Sequence, residues 1–442
     1  MKPLDGKTIS ILGLGASGLA AARLALQKGG EVYVSDQRTE SSVAARGAEL
    51  RGLGARVELG GHAVDRLAQS DTLVVSPGIP PGAPVLRDLR ARGCRWVSEP
   101  EFAFRFLAGP LIAVTGTNGK TTTAALAAHL LEDAGMEVGL GGNIGAAFGP
   151  PASGLALREP APDWFVVEVS SFQLADIVDF QPTIGVVTNL APDHLDRYDG
   201  VEAYYSDKAR LFENATSETR WVLNGDDPAV EALAGDAPGE RFYFSLAGSP
   251  DADAAVVDGT LFLSDRVGGG AEGTGALAHG GGAALLDQGE LRLLGRHNAA
   301  NALAAALAAG LAGAPVASLG PGLRTFQPLP HRLELVGTAH GLRWVNDSKA
   351  TNVAATVGAL ESLEGPLVLL LGGKDKGEDL EPLRKAVHEG VRGLVVYGEA
   401  RGRIAGALAG LPTLHVVDGS FDEAVDVGLE LGREGDILLL SP

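Results

Sequence analysis

Nine consecutive residues, Thr115-Gly116-Thr117-Asn118-Gly119-Lys120-Thr121-Thr122-Thr123, concentrate the chemistry of this chain. They follow the apolar run Leu111-Ile112-Ala113-Val114 and lead into Ala/Leu-rich sequence of helical period. A strand that turns through glycines into a helix aims backbone N–H groups and the positive end of the helix dipole at one point, which makes a seat for an anion. Lys120 adds a point charge, and the Thr121 hydroxyl is a ligand of the kind Mg²⁺ accepts. Gly116, Thr117, Asn118, Gly119, Lys120, Thr121 and Thr122 therefore predict a nucleoside triphosphate site. The loop is a shortened form of the usual one, since only Thr117 and Asn118 separate its glycines.

A second glycine series, Gly13-Leu14-Gly15-Ala16-Ser17-Gly18, follows the strand-like run Thr8 to Leu12 and opens a helix with Leu19, Ala22 and Leu26 on one face. Asp36 ends the next strand, about twenty residues on, a spacing that fits a nucleotide-binding fingerprint and also a tight structural turn. Glu168 lies among Val166, Val167 and Val169 in the run Trp164 to Val169. A carboxylate in a buried strand costs on the order of several kcal/mol unless it is paired or binds a metal, so Glu168 reads as a Mg²⁺ ligand facing Thr121 or as a salt-bridged structural acid. The run Thr183 to Val187 delivers Asn189 and Asp193-His194-Leu195-Asp196-Arg197-Tyr198 to the edge that carries the phosphate loop, with His194 either functional or structural. Asn298 and Asn301 share a face of the Ala-rich helix after Gly295, unless Asn298 is only its cap. Two further strand ends run into Asn346-Asp347-Ser348-Lys349-Ala350-Thr351-Asn352 and Gly372-Gly373-Lys374-Asp375-Lys376, the lysines of the second loop being ligand-directed or simply solvated.

Positioning these groups takes several cores. With 442 residues, 45% of them hydrophobic, the chain exceeds what one core organises, and about three domains are expected. Short apolar runs alternate with helical stretches in three blocks, residues 1–98, 99–329 and 330–442, the pattern of an α/β protein with mainly parallel sheets. Between Ser245 and Glu290 the runs Gly268-Gly269-Gly270 and Gly280-Gly281-Gly282 suggest a surface hairpin or flexible insertion outside the core. A net charge of −19 excludes a large nucleic-acid footprint, so anionic ligands must be met by local cations and N–H groups. Cys94 is the only cysteine, which rules out an intramolecular disulfide. The early apolar run is too short for a signal peptide and no stretch is long enough for a membrane span, so a soluble cytoplasmic protein is expected.

The ordered series Gly116 to Thr121, Gly142-Asn143-Ile144-Gly145, Glu168-Val169-Ser170-Ser171-Phe172-Gln173, Asp193 to Tyr198, His297-Asn298-Ala299-Ala300-Asn301-Ala302, Pro330-His331-Arg332 and Asn346 to Asn352 resembles the Mur ligase family. The resemblance spans almost the whole chain. It implies Rossmann-like first and third domains around a P-loop ATPase-type centre, in a monomer that makes a peptidoglycan precursor. The reaction implied is ATP-dependent addition of D-glutamate to UDP-N-acetylmuramoyl-L-alanine through an acyl phosphate. Leu14, Gly15, Ala16 and Ser17 would then surround the pyrophosphate, Asp36, Gln37 and Arg38 the uracil, and Ser76, Pro77 and Gly78 the sugar-diphosphate, with Asn143, Ser170 and Gln173 also among the substrate contacts. ATP would lie between the central and third domains, with Lys120 and Asn143 at the γ-phosphate, Asn298 and Asn301 at the adenine, and Arg332, Asp347 and Lys349 closing over it. Thr121 and Glu168 would hold one Mg²⁺; His194 and Lys208, carbamylated by CO₂, would hold a second. Lys349, Thr351 and Lys376 would bind the glutamate carboxylates.

Where family members continue into a loop and helix that supply a serine and an aromatic residue to the glutamate site, this sequence stops at Ser441-Pro442, which leads one to expect the strand Ile437 to Leu440 to lack cover on one face. The alternatives are a sibling ligase for another amino acid, against which the Asp347 to Asn352 loop counts, and a nicotinamide-dependent dehydrogenase suggested by Gly13, Gly15 and Gly18 alone.

Overall fold

In the computed structural model, which describes residues 2–249, 251–268, 282–374, 377–411 and 413–442, each block folds around its own sheet. In the first, five parallel strands run in the spatial order Arg56–Leu59, Glu31–Asp36, Thr8–Leu12, Thr72–Val75 and Val97–Ser98. Ile9, Ile11, Val32, Val34 and Val74 fill one face together with Ala21, Leu24 and Ala25 of the helix Ala16–Gln27. The direction of winding reverses between Thr8–Leu12 and Thr72–Val75, which opens a crevice at their carboxyl ends.

Nine strands of the described residues form the central sheet, and Leu111–Thr115 sits inside it, parallel to Trp164–Glu168 on one side and Ile184–Val187 on the other. Helix Lys120–Asp133 packs against helix Arg296–Leu311, burying Leu126, Leu130, Leu303 and Leu307 in one cluster. The hairpin expected between Ser245 and Glu290 forms, Ala254–Val257 pairing antiparallel with Thr260–Leu263, but the expectation that this segment stands outside the core fails for its described part. Ala254–Val257, Thr260–Leu263 and Ala283–Asp287 extend the central sheet, and Ala254, Leu261, Leu263 and Leu286 are buried in its core. Alternating apolar residues in short strands outweighed the glycine-rich composition around them. Most of the glycine runs, residues 269–281, lie outside the described residues.

Six strands form the third sheet, parallel except for the edge strand Glu334–Ala339. Ile437–Leu440 lies near its middle, between Leu342–Asn346 and Leu367–Leu371, and both of its faces are covered. Ile437 and Leu439 pack with Leu360, Leu383 and Val387, while Leu438 packs with Leu342 and Ala424, so the expected bare face does not exist. No described helix is long and apolar enough to cross a membrane.

Candidate functional site

The first-domain crevice is built by close backbone approach. Gly13 has φ +94, and a Cβ on Gly18 would stand 1.9 Å from the Gly13 carbonyl oxygen, so neither position admits a side chain. Leu14 N–H donates to Asp36 Oδ2 at 2.7 Å, and Ser76 Oγ–H donates to Gly13 O at 3.1 Å, tying three strand ends together. Arg38 wraps the Asp36 carboxylate, giving its N–H and Nε–H to Oδ1 at 2.8 and 3.0 Å and Nη2–H to Oδ2 at 2.8 Å. Burial alone would raise the Asp36 pKa, but the hydrogen bonds from Arg38 and Leu14 outweigh it and bring the group down to about 2. Leu14, Gly15, Ala16, Ser17, Asp36, Gln37, Arg38, Ser76, Pro77 and Gly78 thus gather along the carboxyl ends of one sheet.

A carboxylate whose pKa is depressed on folding contributes stability above its unfolded value and loses it as pH falls through the folded one. Asp36→Asn is therefore expected to reduce unfolding free energy near neutral pH by about 1–2 kcal/mol, discounted for solvent around Arg38, and to converge on the wild type between about pH 4 and pH 2. Urea unfolding across that range measures it. A difference that persists undiminished at the acid end contradicts the assignment.

The phosphate loop shows the same economy. Gly116 has φ +135 and a Cβ there would meet Thr188 Oγ1 at 2.0 Å; Gly119 has φ +81 and would meet Asn301 Oδ1 at 2.2 Å. The loop backbone is held from the neighbouring strand end: Thr117 N–H donates to Asn189 O, Asn118 N–H to Asn189 Oδ1, and Thr188 Oγ–H to Asn118 O. Lys120 Nζ donates to Thr117 O at 2.7 Å, folded back over the loop. Asn301 accepts from Thr123 Oγ and donates to Asn298 Oδ1, and Asn298 in turn donates to Leu294 O, so this pair braces the loop from behind. Thr122, Asn298 and Asn301 line a cavity of about 750 Å³, with Arg332, Asp347 and Lys349 facing them from the third domain. Burial raises the Asp347 pKa to about 6, opposed by hydrogen bonds from Leu333 N–H and Ser441 Oγ–H.

Beside the loop, Thr121 Oγ–H donates to Glu168 Oε2 at 2.6 Å, Asn143 Nδ2–H to Glu168 Oε1 at 3.3 Å, and Arg332 Nη2–H to Thr121 Oγ at 2.7 Å. Glu168 is buried, with the Arg332 guanidinium acting on it electrostatically and no salt bridge to it within 4.0 Å among the described residues. A hydroxyl and a carboxylate oxygen adjacent in a buried site are hard donors that fit Mg²⁺ with water completing the shell. A second ion finds less: no group of three His, Cys, Asp or Glu side chains converges among the described residues. His194, at φ +57, stands edge-on to Phe172 at 5.0 Å and to Tyr204 at 6.1 Å, its Nε2 3.7 Å from Asp193 Oδ2. Lys208 is buried, donates to Gly116 O at 2.7 Å and lies 4.6 Å over the Tyr204 ring; burial holds its ammonium well below the usual lysine range.

Ser170 and Gln173 spend their side chains on each other in a capping box at the helix Ser171–Leu174. Gln173 lies, with Ser76, Pro77, Phe172 and Arg197, on the wall of a cavity of about 310 Å³ between the first and central domains, whereas Ser170 does not line it. In the third domain Lys349 and Thr351 are exposed, and Thr351 joins Lys374, Glu378 and Arg403 around a recess of about 70 Å³. Lys376 lies outside the described residues. Sequence reasoning missed Tyr204, whose hydroxyl donates to Thr117 Oγ at 3.3 Å, and nothing in its helical surroundings marks it out.

A phosphate loop at the carboxyl edge of a parallel sheet, with an arginine from another domain bonded beside it on the wall of a ligand-sized cavity, defines a nucleotide-dependent enzyme of three α/β domains. Family models agree along the length: a Mur ligase MurD-like N-terminal domain matches residues 7–98, a Mur ligase middle domain 114–309, and a Mur ligase glutamate ligase domain 331–442. The chain belongs to the Mur ligase family. It is 40% identical to a UDP-N-acetylmuramoylalanine--D-glutamate ligase of Desulfatibacillum aliphaticivorans, over 99% of this chain and 94% of the relative. A protein of the same name from Myxococcus xanthus is 39% identical over the same shares. The solved pseudomurein peptide ligase type C of Methanothermus fervidus shares the fold, with a TM-score of 0.62 at 21% identity, covering 99% of this chain and 97% of that one.

Proposed function

We propose that this chain joins D-glutamate to UDP-N-acetylmuramoyl-L-alanine at the expense of ATP. The observation that carries the reading is the cavity between the phosphate loop and the third domain, in a chain 40% identical to a ligase bearing that name over 94% of that relative. Residues 1–98 would bind the UDP moiety, 99–329 ATP, and 330–442 would close on ATP and receive the amino acid, in a monomeric cytoplasmic enzyme. The first-domain crevice, with Leu14 to Ser17, Asp36 to Arg38 and Ser76 to Gly78, suits a nucleoside diphosphate. From there the substrate would pass along the wall formed by Phe172 and Gln173, with Ser170 beside it, towards the phosphate loop.

A carboxylate resists nucleophiles, so the alanyl carboxylate first attacks the γ-phosphorus: a C–O–P bond forms, the bond to the β-phosphate oxygen breaks, and ADP leaves. Two anions must meet. Lys120, the loop N–H groups, Asn143 and Arg332 would spread the charge on the transferring phosphoryl group, and Mg²⁺ held by Thr121 and Glu168 would supply further positive charge. The neutral amine of D-glutamate then attacks the acyl carbon, loses a proton, and inorganic phosphate departs as the amide forms. Lys349, Thr351 and Lys376 would hold its carboxylates by charge-assisted hydrogen bonds. A second metal position, His194 with a carbamylated Lys208, belongs to the same proposal, since carbamylation would turn the Lys208 amine into an anionic oxygen donor.

Phosphate release from ATP with UDP-N-acetylmuramoyl-L-alanine across a panel of amino acids tests the reading. D-glutamate should support turnover at least about 100-fold faster than any other, as expected where charged groups must be matched. Comparable turnover with meso-diaminopimelate or L-lysine would instead make the chain a sibling ligase.

A further inference from the structure

One side chain of the third domain touches two separate parts of the central domain at once. Asn352, only 7% exposed, donates through Nδ2 to Asp193 Oδ2 and to Asn118 Oδ1, each at 3.0 Å. Its Oδ1 accepts from Asn118 Nδ2 at 3.2 Å and from Ala355 N–H at 2.8 Å, which caps the helix Val353–Ser362. Asp193 can only accept while ionised and Ala355 N–H can only donate, so these two partners set the orientation of the Asn352 amide, and Asn118 must present its own amide in the complementary sense. All four hydrogen-bonding sites of one asparagine are thereby filled.

What it grips matters. Asn118 is inside the phosphate loop, where its backbone is already held by Thr188 and Asn189, and Asp193 precedes His194. On the other side, Asn352 follows Thr351, and the next N–H in the chain, that of Val353, donates to Glu378 Oε2 at 2.8 Å beside Lys374. We propose that Asn352 is the positioning residue through which docking of the third domain fixes the phosphate loop and the Asp193-His194 segment in one arrangement. Its chain neighbours Thr351 and Val353 line the small recess beside Lys374, and Thr351 is one of the residues proposed to hold the amino acid, so seating of the acceptor and alignment of the phosphoryl donor are joined through a single amide. This rests on the ligase reading for the identity of the acceptor. The coupling of domain closure to the loop does not.

The chemistry admits no acidic substitute. Asn352→Asp has the same shape but loses both donors and sets a carboxylate against Asp193, whereas Asn352→Ala removes every bond. Asn352→Asp is expected to lower kcat for D-glutamate-dependent phosphate release by about 100-fold, the scale of a misaligned phosphoryl donor, and Asn352→Ala by less, with KM for the UDP substrate changed under about twofold. Because the Asn118 and Asn352 amides pair with each other, Asn118→Ala combined with Asn352→Ala should cost no more than about threefold beyond the worse single change. Small-angle X-ray scattering gives a readout independent of turnover: a non-hydrolysable ATP analogue should hold the wild-type protein compact and leave Asn352→Asp more extended. Near-normal kcat in both Asn352 variants, losses that multiply in the double variant, or an Asn352→Asp protein as compact as the wild type would each overturn the inference. If the wild type shows no ligase activity while the scattering contrast persists, the functional reading falls and the coupling stands.

Discussion

Lys120→Ala should abolish phosphate release from ATP while leaving affinity for the UDP substrate within about twofold of the wild type. Lys120 is the first residue of the helix behind the phosphate loop, and its Nζ lies 2.7 Å from Thr117 O, within the loop that would surround the γ-phosphate. Losing one preorganised donor from a transferring group costs about 100- to 1000-fold, and a full positive charge where two anions must meet lies at or beyond the upper end. The groups proposed for UDP belong to another sheet, held by the Leu14 to Asp36 and Ser76 to Gly13 hydrogen bonds, which Lys120 does not touch. Calorimetry with the UDP substrate alone and a phosphate-release assay separate the two effects. Parallel loss of both would mean that the nucleotide loops do not serve different ligands.

Asp347 adds a pH signature of weaker amplitude. Burial lifts it to about 6 against the hydrogen bonds of Leu333 and Ser441, so it loses its charge on mild acidification inside the same cavity that holds Lys349 and Arg332. Because the folded pKa is above the unfolded one near 4, the shift itself costs stability at neutral pH and that cost fades as pH falls towards 4.

The two glycine loops were legible because their backbones leave no choice. Positive φ at Gly13, Gly116 and Gly119 and a Cβ clash at Gly18 force the residue type, and the flanking apolar runs force the strands. The pairing of Thr121 with Glu168 was legible for a different reason: a carboxylate in an otherwise apolar strand demands a partner, and the parallel neighbour strand Leu111–Thr115 leads through the loop into the first helical turn that carries Thr121. Composition misled where it competed with pattern. Glycine-rich sequence around residues 254–287 concealed three strands whose alternation was short but regular, and the chain's end drew attention away from the central place of Ile437–Leu440 in its sheet. Ser170 and Gln173 carry the S-x-x-Q spacing of a capping box, and that box forms at the start of the helix Ser171–Leu174. The Asn118–Asn352 amide pair joins residues 234 apart in sequence and follows from domain docking alone, so no local pattern could announce it.

Lys208→Ala should lower activity on the order of 100-fold, and short carboxylates such as acetate should restore part of it. A buried ammonium is costly, and around Lys208 the Lys120 charge adds to that cost while Asp193, Glu168 and Asp207 only partly offset it. Its one hydrogen-bond acceptor is Gly116 O, and no carboxylate forms a salt bridge with it among the described residues. A neutral amine in that position can add CO₂: the nitrogen lone pair forms a bond to carbon, one N–H proton is released, and the product is an anionic carbamate with two oxygen donors. Near Lys120 the sign of the interaction then reverses, from repulsion to attraction, and hard oxygens become available to a divalent cation. A carbon-13 NMR signal from protein equilibrated with labelled CO₂ should report the carbamate directly and vanish in Lys208→Ala, independently of turnover. Retention of near-normal phosphate release by that variant at saturating Mg²⁺, or the absence of the labelled signal in the wild type, would leave Lys208 as a buried amine that braces the phosphate loop through Gly116.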